Sequence, residues 1–118
     1  MTSGRVVVER DVIRFFHPVH GKSRTGVVIQ VQSDRLIVIY GRGTELDKEH
    51  VTVPHPSAAA TALDLYKPTH FYATSLARVL ATSVERVGHC PPRIFEQLRP
   101  LALKGVRYMT TIEPTPTK

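Results

Sequence analysis

His17 and His20 share one short stretch with Lys22 and Arg24, in the order His17-Pro18-Val19-His20-Gly21-Lys22-Ser23-Arg24. Imidazole titrates near physiological pH and can give or take a proton. A guanidinium is a flat fork of donors that grips a phosphate in a way lysine cannot copy. Such a set suits work on a phosphodiester. A base takes the proton of a ribose 2′-OH, whose oxygen attacks the adjacent phosphorus. An acid protonates the leaving 5′ oxygen, and cations stabilise the charge that builds between them. Arg42 stands between Gly41 and Gly43, in a turn whose backbone donors can also meet a phosphate. His17, His20, Lys22 and Arg42 are therefore candidate RNA-binding residues. The same residues also fit plainer roles, as solvated loop histidines and an ordinary turn arginine.

The rest of the composition points the same way. Lys and Arg number 16 against 10 Asp and Glu, for a net charge of +6, and eleven of the cations are arginine. An Arg-rich surface favours polyanions such as RNA or DNA, although a net charge of this size also serves solubility alone. Tyr40, Tyr66 and Tyr72 are candidates to stack on bases, or to fill a core. The remaining His50, His55, His70 and His89, with Cys90, form no paired ligand signature, so neither a metal nor another cofactor is expected. Cys90, the single cysteine, precedes Pro91-Pro92 and reads as structural. One cysteine allows no internal disulfide, which suits a reducing, cytoplasmic setting. No apolar run reaches 18 residues and no signal-peptide pattern opens the chain, so no membrane partner is expected.

These groups must be positioned by strands. A chain of 118 residues reads as a single domain, here residues 1–106, followed by a tail over 107–118 whose polar end, Glu113 to Lys118, is expected to be disordered. Val6-Val7-Val8 and Asp11 to Phe16 read as strands. His17 to Ser23 reads as a loop. Arg24 to Val31 and Arg35 to Tyr40 form a hairpin about Gln32-Ser33-Asp34. The unbroken run Val27-Val28-Ile29 predicts strands covered on both faces, as in a small closed barrel. His50 to Val53 alternates as a short strand. Ser57 to Leu65 is a short helix capped by Ser57. Thr69 to Ala73 is a strand, and Ala77 to Val87 fits helix or strand. Pro92 opens a final helix whose apolar face is Ile94, Leu98 and Leu101, and Pro100 is expected to end or kink it near Arg99.

The order of these pieces resembles the MazF/PemK (Kid) family of toxins from toxin–antitoxin systems. Five stretches carry the resemblance: Arg10 to Ile13; His20 to Val28; Val38 to Gly41 with Thr44; Leu65 to Phe71 (Leu-Tyr-Lys-Pro-Thr-His-Phe); and Arg86 to Gly88 followed by Pro92 to Leu101. The resemblance implies a mainly β fold with small helices, an SH3-like barrel with a C-terminal helix. It implies a metal-independent endoribonuclease acting on single-stranded RNA through 2′-OH attack. The implied partners are a cognate antitoxin protein and a second copy of the chain in a homodimer.

It also implies catalytic roles for two residues. Arg24 would handle the phosphate and take part in proton transfer, and Thr44 would hydrogen-bond the phosphate. The chain departs from the family pattern at three places. Asp11 is not preceded by Gly, Thr25 stands where the family has Pro, and Thr44 is displaced by two residues. Two other readings therefore stand beside the nuclease: a non-catalytic SH3-like module that holds nucleic acid, and a relative that binds a host protein.

Overall fold

The apolar runs form an antiparallel sheet that carries a core on each face. In the computed structural model, residues 6–112 are described. The strands are β1 (Asp11–His17), β2 (Lys22–Gln32), β3 (Arg35–Arg42), β4 (His50–Val53), β5 (Thr69–Leu80), β6 (Glu85–His89) and β7 (Thr110–Thr111). Two helices, α1 (Ala58–Ala62) and α2 (Pro92–Gly105), complete the fold. The sheet order is β4-β5-β3-β2-β1-β6, with β7 added in parallel to β5.

Successive side chains of a strand face opposite ways, so each unbroken apolar run feeds two clusters. Val12, Val27, Ile29, Ile37 and Ile39 join Phe71 and Leu76 in a larger cluster with Phe95, Leu98 and Leu101 of α2. Ile13, Phe15, Val28, Leu36, Val38 and Tyr40 build the second, with Ala77 and Val79. Irregular pairing between Val12 and Ile13, between Val28 and Gln30, and between Ile39 and Gly41 bends the long strands and sharpens their twist.

Several local expectations change in three dimensions. Val6 to Val8 forms no strand. The Asp11 carboxylate accepts the Val8 amide at 2.9 Å, and that bond turns the chain before β1. Ala77 to Val87 divides between the end of β5, a 3₁₀ turn at Ala81–Ser83 and the start of β6. Ser57 caps α1 as its type predicts, accepting from the Ala60 amide at 3.0 Å.

Pro100 does not stop α2, which continues to Gly105. A helix-interior proline costs about 3 kcal/mol. Burying Leu98 and Leu101 returns roughly 1.5–3 kcal/mol each, enough to carry the helix past it. Gly105 then lies so close to β5 that any side chain there would collide with the Ala73 carbonyl. Nor does the folded unit end at 106. A 3₁₀ turn spans Val106–Tyr108, β7 pairs with β5, and the Ile112 amide donates to the Arg78 carbonyl at 2.9 Å. The expected disordered end, 113–118, lies outside the described residues.

Candidate functional site

Strand alternation places Ile13, Phe15 and His17 in one row of β1, and His17 closes that row at 3% exposure. The turn that follows is tight. The amides of His20 and Gly21 both donate to the His17 carbonyl, at 3.1 and 2.9 Å, and Gly21 takes a φ of +67°, a conformation that glycine adopts without strain. This reversal folds His20 back over His17. The two imidazoles stack with ring centres 3.9 Å apart and planes 10° from parallel. Tyr40 of β3 meets both edge-on, at 5.3 and 5.6 Å.

Strand β2 adds the guanidinium. Arg24 pairs across from Phe15 and so shares its face. Its Nε donates to His20 Nδ1 at 3.1 Å, and its Cζ lies 6.0 Å from the Tyr40 ring centre. Accepting that bond requires a lone pair on Nδ1, so the His20 proton sits on Nε2.

The electrostatics reinforce that state. Burial, then the charges of Arg24, Arg42 and Lys22, holds His20 below the usual imidazole range. Burial, then His20 and Arg24, does the same to His17. Both rings are therefore neutral at pH 7. Burial and Arg42 also lower Arg24, while Tyr40 works against them. Tyr40 is raised by burial, against the pull of Arg42, Arg24 and a hydrogen bond with Ser75. His17 Nδ1 is buried without a hydrogen-bond partner. An orphaned buried polar atom costs about 1–3 kcal/mol, and native structures tolerate such orphans where a site needs them.

Beside this cluster lies a cleft of about 120 Å³ whose lining includes Lys22, Arg24, Arg42, Lys67, Tyr66 and Asp64. Its floor includes Gly41, where any side chain would collide with the Thr69 methyl group. The single carboxylate of the lining, Asp64, is held by Arg14 at 2.5 Å, so the cleft stays strongly cationic.

The structure thus gathers His17, His20, Lys22, Arg24 and Arg42 at one end of the sheet. It does not bring Thr44 into the cleft. Thr44 is exposed in the β3–β4 connection, and its carbonyl accepts from the Tyr72 hydroxyl at 2.9 Å. Tyr40, read from sequence as a candidate to stack on bases or to fill the core, packs against both imidazoles, and Ser75, which bonds to it, was not assigned from sequence. Tyr40 sits in an apolar strand run, and a lone serine in a strand carries no functional pattern.

The opposite end of β1 holds a second charged group of contrasting build. Asp11 is 1% exposed. Its Oδ1 lies 3.0 Å from both His89 Nδ1 and Arg86 Nε, and its Oδ2 accepts from Val8. These donors outweigh the effect of burial and lower its pKa. The neighbouring Cys90 is buried and its thiol is pushed up to about 11, which leaves it protonated and a poor nucleophile. Among the described residues, no three His, Cys, Asp or Glu side chains come together as metal donors, and no helix is long and apolar enough to cross a membrane. No protein-family model matches the chain, and no curated protein matches it in sequence.

Proposed function

We propose that this protein is a MazF/PemK-like endoribonuclease that cleaves single-stranded RNA by 2′-OH attack, with no metal in the step. The observation that carries the reading is the pairing of cations with neutral imidazoles: Arg24 bonds to one of two stacked rings, and burial together with the charges of Arg24 and Arg42 holds both below their usual pKa, Lys22 adding to His20. Arg24 and Arg42 take the phosphate oxygens. As Arg24 turns to the phosphate it releases His20 Nδ1, and that lone pair becomes the base for the 2′-OH. One event thus binds the substrate and frees the base. The oxygen attacks phosphorus, the bond to the 5′ oxygen breaks as that oxygen takes a proton from solvent water, and a cyclic phosphate and a 5′-OH result. In the same reading the bent antiparallel sheet is an SH3-like barrel, a second copy and an antitoxin chain are its partners, and the cytoplasm is its setting.

The test is incubation of single-stranded RNA with the protein in EDTA, followed by end-group analysis. Wild-type protein yields 2′,3′-cyclic phosphate and 5′-OH ends. Arg24→Ala keeps its urea midpoint and loses cutting. Retained cutting by that variant rejects the site. The position of Thr44 favours a second reading, a non-catalytic module that holds RNA on the same cations. It predicts salt-sensitive binding with no cleavage product.

A further inference from the structure

We propose that Tyr66 is a stacking platform for one unpaired base of the bound strand, beside the cationic cleft; the inference rests on the phosphodiester reading above. The three tyrosines singled out for stacking separate sharply in the structure. Tyr40 and Tyr72 are 5% and 1% exposed and belong to the interior, whereas Tyr66 is 82% exposed. A ring left so fully in water contributes little to the core, yet Tyr66 lines the cleft between Leu65 and Lys67.

Its backbone is well held. The Leu65 amide donates to the Ala60 carbonyl at 2.8 Å, and the Thr69 hydroxyl donates to the Lys67 carbonyl at 3.0 Å. A tyrosine on a fixed backbone has only two side-chain torsions to order, so it offers contact area at low entropic cost.

Size and charge define the occupant. At about 120 Å³ the cleft is smaller than the roughly 300–1,000 Å³ of sites that enclose a whole small ligand. It fits a strand passing over it, with a phosphate among Lys22, Arg42 and Lys67. A base on that strand reaches Tyr66 only if it is not already stacked and paired, which selects single-stranded over duplex nucleic acid. Every base has a π-face, so the platform adds affinity without dictating sequence.

The experiment is fluorescence anisotropy in EDTA with a short labelled single-stranded RNA whose 2′-O-methyl riboses block cleavage. The arms are wild type, Tyr66→Ala, Tyr66→Phe and Lys67→Ala across a salt series. Tyr66→Ala raises Kd roughly 5- to 150-fold with an unchanged salt slope. Tyr66→Phe stays close to wild type, because the ring and not the hydroxyl is used. Lys67→Ala lowers the slope by about one, as expected for a lost phosphate contact. Tyr66 is exposed, so its variants keep the wild-type urea midpoint. Wild-type affinity in Tyr66→Ala, or an equal loss on an abasic strand, overturns the platform. If Lys67→Ala still lowers the slope in that case, the phosphodiester reading survives. A wild-type protein that fails to bind the strand at low salt overturns both.

Discussion

The two ends of strand β1 handle the same residue types in opposite ways. At its start, the Asp11 carboxylate lies 3.0 Å from both His89 Nδ1 and Arg86 Nε. At its end, Arg24 donates to His20, Arg42 acts on both, and among the described residues no carboxylate pairs with either arginine. The first arrangement is internally paired: a buried negative charge faces two basic side chains and accepts the Val8 amide at the chain entry. The second keeps its positive charge uncompensated and its imidazoles neutral. An arginine beside a histidine is thus a clasp where a buried carboxylate joins them and, in the proposed reading, a receptor for an anion where none does.

The largest effect separates the ends by activity. His20→Ala lowers RNA cleavage by about 10²–10⁴-fold, the range for a lost general base, while His89→Ala leaves the cleavage rate within about twofold of wild type. A comparable loss from His89→Ala would erase the contrast.

Stability reverses the order. Asp11→Ala strands two donors around a buried site and destabilises the fold by about 3 kcal/mol, the lower end for a broken buried ion pair because Arg86 and His89 reach solvent. It is read from urea denaturation, and Arg24→Ala, on a half-buried cation with no carboxylate partner, changes the midpoint far less.

Acid sharpens the comparison. The folded-state pKa values of His17 and His20 are depressed, so the unfolded chain binds these protons first. Their contribution is complete above the unfolded value of about 6.5 and is lost as pH falls below it. Asp11 is depressed from 3.8, so its contribution persists until pH drops below that value. The urea midpoint therefore declines in two stages. His17→Phe shrinks the first stage to the part carried by His20 and leaves the second. A single decline confined below pH 4 would contradict the neutral pair.

The smallest effect concerns Cys90. With its thiol at about 11 and buried, alkylation at pH 8 proceeds only through opening of the fold and slows as stability rises.

Much of the succession of strands was legible because buried strands write unbroken apolar runs, as in Val27 to Ile29 and Leu36 to Tyr40. Pro18 and Gly21 made the reversal between β1 and β2 legible, but the expected loop over His17 to Ser23 is shorter in the structure: His17 ends β1 and Lys22 and Ser23 open β2, so only 18–21 turn. Three features were hidden for physical reasons. Pro100 looks like a helix stop until the burial of Leu101 and Ala102 is known, since propensity is local and packing is not. Val6 to Val8 has strand composition, yet the buried Asp11 carboxylate captures its backbone. Thr44, outside the cleft lining, has its carbonyl tied to the Tyr72 hydroxyl, 28 residues away, a tether that no local pattern reveals. The histidine stack is hidden likewise, because it needs a turn closed by two amides on one carbonyl.

The most direct test of the central claim is nitrogen-15 NMR of the imidazoles at pH 7, with and without the cleavage-blocked single-stranded RNA. The account predicts His20 neutral with its proton on Nε2, and predicts that RNA shifts the His20 and Arg24 Nε signals while His89 stays in place. A charged His20 in the free protein, or RNA-induced shifts at His89 in place of those at His20 and Arg24, would contradict it.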